Sequence, residues 1–156
     1  MAGFDWAYNL NGGNGPVIKD FYMKDTETFT KGDLMNVETG EVDLAVTSDA
    51  NLIGAFVGTV NPDDERDSAH ARTPGKVAGT DSTTRVRVII NPDAVYRTTD
   101  ANARDAGATL DISGATGAQV VAASANTEFV VVETKLQAAN PTYVMITPTA
   151  HVLQKT

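Results

Sequence analysis

Short apolar runs alternate with polar turns along much of the chain, and the clearest unit is the segment 29–60. Two β-prone runs, at residues 33–37 and 41–46, are separated by Glu38-Thr39-Gly40. A three-residue loop that ends in glycine is a common closure of a β-hairpin, so the pattern predicts a hairpin here. Alternate residues of the second run are apolar, which predicts that one face of this strand turns towards a core as far as Val46.

A third run, at residues 52–60, is apolar on both faces and is predicted to lie centrally in a sheet. Gly54 and Gly58 lack side chains, so they allow another part of the chain to approach closely. Alternation resumes at 84–90, where Arg85 and Arg87 lie opposite an apolar face. Together with later β-prone runs and the Gly, Asn and Pro turns between them, this pattern predicts an all-β sandwich or barrel.

Residues 1–16 carry a different pattern, in which every second residue is large and apolar. These residues are Phe4, Trp6, Tyr8 and Leu10. An extended backbone would place all four side chains on one face. The glycine-rich segment 11–16 follows and predicts a flexible joint. We therefore expect either an N-terminal arm that packs on another subunit or a partner, or the first strand of the same domain.

The length of 156 residues fits one domain. We accordingly assign residues 1–16 to an extended arm with its hinge, and residues 17–156 to a single β domain. Between 61 and 84 the chain is polar, charged and nearly free of large apolar side chains, which predicts a long surface loop. Loops longer than about 12–15 residues tend to be either functional or disordered.

Charge and composition narrow the range of partners. The net charge of −8 and the pI near 4.6 argue against a nucleic-acid surface, because phosphate binding depends on clustered lysines and arginines. The absence of cysteine excludes disulfides and thiolate chemistry. No apolar run approaches the roughly 20 residues that a membrane-spanning helix needs. We therefore expect neither nucleic acid nor a membrane as a partner.

Residues that carry chemistry are sparse. His70 and His151 are the only imidazoles; neither has metal-site spacing, and the serine motif of a nucleophile elbow is absent. The carboxylates at 63–67 lack the ligand spacing of a calcium loop. We therefore predict no catalytic residue, no metal site and no cofactor, and we expect that the protein is not an enzyme. A hydrolase that pairs a serine or an aspartate with one histidine stays open as an alternative, because triads assemble from distant positions.

Arg85 and Arg87 share one strand face. Two guanidinium groups on one face can dock an acidic or carbonyl-rich partner surface. Cross-strand pairing with Asp or Glu is the second interpretation of these two residues.

Several segments together resemble those of bacteriophage capsid decoration, or cement, proteins. They are the N-terminal aromatic strip, the turn Lys31-Gly32-Asp33-Leu34, the run LIGAFVGTV and the later run LDISGATGAQVVAASANTEFVVVE. The resemblance implies a small β-barrel or tulip-like domain, usually a trimer, on the outer capsid surface. The charged segment 63–84 and the aromatic start depart from the shorter members of that family.

The resemblance further implies a structural virion protein that binds the major capsid protein and ties neighbouring capsomers together. The four residues of the aromatic strip, and Arg85 and Arg87 as a further capsid contact, are then the candidate contact residues. Such a role needs no reactive group, because it depends on interface area, on the order of 800 Å² per partner. A virion tail or fibre module that recognises host glycans is the alternative.

Overall fold

The structure, a computed structural model, describes residues 3–24, 27–60, 85–123 and 125–154. The regular structure of these residues is β-strand, which confirms the all-β prediction. The strands are β1 Asp5–Asn9, β2 Ile18–Met23, β3 Leu34–Glu38, β4 Glu41–Leu44, β5 Leu52–Thr59, β6 Arg85–Ile89, β7 Ala94–Thr98, β8 Thr109–Ser113, β9 Val120–Ala123, β10 Phe129–Val131 and β11 Thr142–Ile146. The predicted loop at 61–84 lies outside the described residues. Within the described ranges, no helix has the length and hydropathy to cross a membrane.

Five strands close into a barrel in the order β2, β4, β3, β5, β6, which confirms the barrel form of the prediction. Neighbouring strands are antiparallel except for β2 and β4, which run parallel where Tyr22 lies opposite Glu41. This short parallel contact closes the barrel. Buried apolar side chains fill its interior; they are Met23, Phe29, Met35, Val42, Ile53, Phe56, Val86 and Val88.

Strands β3 and β4 form the predicted hairpin. Glu38 pairs with Glu41, so the turn consists of Thr39 and Gly40 and is one residue shorter than expected. Both turn residues have positive φ, 51° and 91°, as in the type I′ turn that matches the twist of paired strands. The alternation does not extend to Val46, which is 54% exposed rather than turned to the core, because β4 ends before it.

Strand β5 lies between β3 and β6, in the central position that its apolar faces predict. Gly54 in this strand has a φ of +147°, and a Cβ there would lie 1.8 Å from the carbonyl oxygen of Ile89 and 2.8 Å from the hydroxyl of Tyr96. The position therefore has no room for a side chain, which confirms the predicted close approach. Because Tyr96 belongs to β7, this is also a point where the second sheet meets the barrel.

The other six strands form an antiparallel sheet with the order β1, β7, β11, β10, β8, β9. One face of this sheet packs against the outside of the barrel. The largest side chains of the shared core are Phe4, Leu34, Leu52, Ile89, Tyr96, Leu110, Ile112, Phe129, Val131, Val144 and Ile146. Each layer thus buries the apolar face of the other, as two-layer domains require.

The N-terminal segment belongs to this sheet. Strand β1 pairs antiparallel with β7 from Asp5 to Asn9. Phe4 is buried at 1% exposure and its ring stacks on that of Phe129, with 5.2 Å between centroids. The structure thus corresponds to the second interpretation, a first strand of the same domain, and corrects the expectation of an arm that leaves the domain. The physical reason is that this chain's own core covers the first aromatic side chain of the strip.

Candidate functional site

The edge strand β1 is the candidate interaction surface. In the described part of the chain, no strand pairs with β1 on the side opposite β7. The free side of an edge strand presents backbone N–H and C=O groups with which another chain can form hydrogen bonds. Trp6 and Tyr8, both half-buried, lie on the same strand. We refer to residues 5–9 and their unpaired side as the β1 edge.

The four residues of the predicted strip do not share one face. Phe4 is buried, whereas Leu10 is 54% exposed. The register with β7 shifts between Trp6 and Tyr8, which marks a β-bulge. A bulge adds one residue to a strand and so reverses the alternation that follows it. Counting alternate residues cannot detect a bulge, and the expectation of a single face is therefore wrong.

Trp6 lies on the side of the sheet that faces the barrel. Its ring packs against the shared core, and its indole N–H donates to Asn9 Oδ1 at 3.0 Å. Beside it, a cleft of about 370 Å³ opens between β1 and barrel strand β5. Lys31 lines this cleft, as do Asp5 and Arg97, which form an ion pair at 3.4 Å. The cleft therefore combines an aromatic wall with charged groups of both signs.

Tyr8 lies on the opposite face of the sheet. Its ring centroid is 6.4 Å from that of Tyr143, and its hydroxyl donates to Glu133 Oε1 at 2.5 Å. Burial and this hydrogen bond raise the pKa of Tyr8 to about 12, so the phenol stays protonated at neutral pH. Partly exposed tyrosines with an apolar ring and a polar tip are well suited to protein contacts.

Arg85 and Arg87 lie on the outer face of barrel strand β6. Both are exposed, whereas Val86 between them is buried. Arg85 forms an ion pair with Asp20 of the neighbouring β2 at 3.3 Å, and its guanidinium lies 5.9 Å from the centroid of the Tyr22 ring. The interpretation of cross-strand pairing is thus correct for Arg85. An exposed ion pair of this kind contributes at most about 1 kcal/mol to the free energy of unfolding. The two arginines belong to the barrel and the β1 edge belongs to the other sheet, so the structure does not bring the two candidate sets together in one element.

The buried carboxylate of Asp33, in the turn Lys31-Gly32-Asp33-Leu34, links two distant turns. Asp33 accepts hydrogen bonds from the N–H of Thr30 at 2.7 Å and from the N–H of Gly117 at 2.8 Å. It also accepts one from the hydroxyl of Thr116. The turn at 30–33 is thereby fixed to the turn at 114–117. No local pattern signals this link, because Asp33 and Gly117 are 84 positions apart.

Two further buried polar side chains join the sheet to the barrel. Gln119 accepts a hydrogen bond from the N–H of Leu34 at 2.6 Å and donates to the carbonyl of Ala45 at 2.8 Å. Glu128 accepts one from the N–H of Ser48 at 2.5 Å. Burial raises the pKa of Glu128. Both side chains form hydrogen bonds with backbone groups of the barrel, so they provide partners for buried backbone groups where the two layers meet.

His151 is shielded from solvent, with 0% exposure. Its Nδ1 accepts a hydrogen bond from the N–H of Leu153 at 3.1 Å. Burial lowers the pKa of this imidazole to about 4, with partial opposition from the backbone of Ile53, so the ring is neutral at neutral pH. His70 and the carboxylates at 63–67 lie outside the described residues. Among the residues that are described, no group of three or more His, Asp or Glu side chains is placed to hold a metal ion.

No protein-family model matches this sequence, and no curated protein matches it. The resemblance to capsid decoration proteins therefore stays a prediction.

Proposed function

We propose that this protein is a structural virion protein that binds the outer surface of a bacteriophage capsid and stabilises contacts between capsomers. The partner is the major capsid protein, and the protein acts as a homotrimer. The observation that carries the proposal is the β1 edge, the unpaired side of an edge strand with two half-buried aromatic side chains. The role requires no catalytic residue, metal or cofactor.

The β1 edge supports this role through two kinds of contact. Its unpaired backbone can accept a strand from a capsid subunit, and backbone hydrogen bonds of this kind supply affinity. Trp6 and Tyr8 supply apolar area on either face of the sheet, and Trp and Tyr are the residues that most often dominate binding energy in interfaces. Arg85 and Arg87 add positive charge on the barrel, as a second capsid contact in this proposal.

Truncation of the β1 aromatics tests the proposal. Deleting residues 1–12 is not a clean test, because it removes a strand of the sheet. We expect Trp6→Ala and Tyr8→Ala each to weaken binding to capsids stripped of the protein by about 2 kcal/mol, or roughly 30-fold in Kd. Cosedimentation with stripped capsids measures the effect, and thermal unfolding checks that each variant is folded.

Val46→Ala is the matched control, since Val46 is an exposed apolar residue of the barrel layer and lies outside the β1 edge. It should bind like the unmodified protein. Equal capsid binding by all three variants would refute the role of the β1 edge, and no binding by the unmodified protein would refute the proposed function itself.

The Trp6 cleft favours a second candidate, a tail or fibre module that recognises host glycans. Sugars commonly stack on exposed aromatic rings and bond neighbouring polar groups, and Asp5 and Lys31 line the cleft beside Trp6. Binding of the isolated protein to a glycan array, lost in Trp6→Ala and retained in Tyr8→Ala, would support this candidate over capsid binding.

A further inference from the structure

The connection between β1 and β2 contains the Asn-Gly dipeptide twice. The two copies are Asn11-Gly12 and Asn14-Gly15, and the dipeptide occurs nowhere else in the sequence. Both asparagines are exposed. The two sites have the same chemistry, so any difference in their reactivity has to come from the structure around them.

Asparagine followed by glycine can deamidate without an enzyme. The main-chain nitrogen of the glycine attacks the side-chain Cγ of the asparagine, a five-membered succinimide forms, and the side-chain nitrogen leaves as ammonia. Water then opens the ring at either carbonyl and yields aspartate or isoaspartate. Glycine favours the attack because it has no Cβ to hinder the approach and because its backbone is conformationally permissive.

The attacking nitrogen is engaged at the first site. The N–H of Gly12 donates to the carbonyl of Asn9 at 3.0 Å. The N–H of Asn11 donates to Asp93 Oδ2 at 3.2 Å, which ties the same stretch to the turn after β6. Attack by the Gly12 nitrogen requires that its hydrogen bond to Asn9 break first.

The attacking nitrogen is not engaged at the second site. Among the described residues, none accepts a hydrogen bond from the N–H of Gly15. A Cβ at Gly12 or at Gly15 would meet no atom within 4 Å, so the two sites are equally open and the hydrogen bond of the Gly12 N–H is what distinguishes them. We infer that Asn14 is a site of spontaneous deamidation and that the structure protects Asn11.

The Asn14 site is connected to the β1 edge. The carbonyl of Gly15 accepts a hydrogen bond from Asn9 Nδ2 at 2.7 Å, and Asn9 Oδ1 in turn accepts one from the indole of Trp6 at 3.0 Å. Isoaspartate at position 14 adds a carbon to the main chain and displaces the Gly15 carbonyl. Deamidation therefore alters the environment of Trp6, the single tryptophan of the chain.

Controlled ageing tests this inference. The folded protein is incubated in mildly alkaline buffer, and peptide mapping by mass spectrometry follows aspartate and isoaspartate at both positions over time. We expect product at position 14 to accumulate about fivefold faster than at position 11, the factor that corresponds to one hydrogen bond of ~1 kcal/mol. In urea sufficient to unfold the chain, the two rates should become similar.

Tryptophan fluorescence tests the connection to Trp6. The emission of the ageing protein should shift in step with product at position 14, and Asn14→Gln should abolish both the product and the shift. Equal rates at the two positions in the folded protein, or faster reaction at Asn11, would overturn the assignment. A rate difference that persists unchanged in urea would assign the selectivity to the local sequence and overturn its structural basis, and product without a fluorescence shift would refute the connection to Trp6.

Discussion

Single residues determine how closely neighbouring strands of this fold approach each other, and Gly54 is the clearest case. A Cβ at this position would lie 1.8 Å from the carbonyl oxygen of Ile89, which is backbone and cannot move aside alone. We expect Gly54→Ala to lower the free energy of unfolding by about 3 kcal/mol, because β5 and β6 must separate to accommodate the methyl group. Urea unfolding measures the change.

Gly40→Ala is the control for Gly54→Ala. Gly40 also has a positive φ, but a Cβ there would meet nothing within 4 Å. This variant should lower the free energy of unfolding by about 1 kcal/mol, the cost of a positive φ for a residue that has a Cβ. An equal loss in both variants would show that Gly54 is required for its backbone conformation and not for space.

The buried imidazole predicts a dependence of stability on pH. The ordinary pKa of 6.5 for His151 is lowered to about 4 in the folded protein. Above pH 6.5 the ring is neutral in both the folded and the unfolded protein, so it does not reduce the free energy of unfolding. As pH falls from 6.5 to 4, the unfolded chain takes up a proton that the folded protein does not, so stability should fall by up to about 3 kcal/mol.

Urea unfolding at a series of pH values measures this slope, and His151→Gln removes it by taking away the titrating group. Glu128 and Asp49 act in the opposite direction, because their pKa values are raised and stability rises as pH falls through them. The difference between the unmodified protein and His151→Gln isolates the imidazole. Parallel pH profiles would contradict a buried neutral histidine.

At the scale of elements, the features that could be predicted from the sequence are those that depend on a local pattern of apolar and polar residues. The β3–β4 hairpin follows from a glycine turn between alternating runs, and the central position of β5 follows from a run that is apolar on both faces. The buried and exposed residues of β6 alternate as predicted around Arg85 and Arg87. These features need no knowledge of distant partners.

What could not be predicted depends on contacts between distant positions. The parallel contact that closes the barrel pairs β2 with β4, although β3 lies between them in the chain. No single run of apolar residues encodes such a strand order. The bulge in β1 separates Trp6 from Tyr8 through pairing with β7. In the candidate site, the aromatic residues were found from their spacing at every second position, but the cleft and the unpaired edge exist only once β1 is placed beside the barrel.

The link from Asp33 to the distant turn predicts an energetic coupling between two elements. Asp33→Ala removes a buried carboxylate and leaves the part-buried N–H groups of Thr30 and Gly117 without their acceptor, so we expect a loss of about 3 kcal/mol in the free energy of unfolding. Thr116→Val removes one donor to the same carboxylate and should cost about 1 kcal/mol. In the double variant, the losses should fall short of additivity by about 1 kcal/mol.

Asp93→Ala is the control, because its carboxylate accepts one exposed backbone N–H, that of Asn11 at 3.2 Å. Its loss should stay below about 1 kcal/mol, since water can replace the partner. Strict additivity of Asp33→Ala and Thr116→Val would contradict direct coupling between the two turns.

At the scale of the whole molecule, the barrel and the sheet are predicted to unfold as one unit. They share the hydrophobic core between the two layers, which is separate from the core inside the barrel. Gln119 and Glu128 of the sheet layer also bond backbone groups of the barrel layer. Separating the layers would expose that core and leave these buried groups unsatisfied, so partial unfolding is costly.

Hydrogen exchange in increasing urea, read by mass spectrometry, tests cooperativity. Peptides from β3 in the barrel and β11 in the sheet should give the same free energy of opening. Gln119→Leu leaves the N–H of Leu34 and the carbonyl of Ala45 unsatisfied, so it should lower both values together by about 2 kcal/mol. If β3 instead opens at lower urea than β11, the two layers are separate folding units, and the prediction that residues 17–156 form a single domain is wrong.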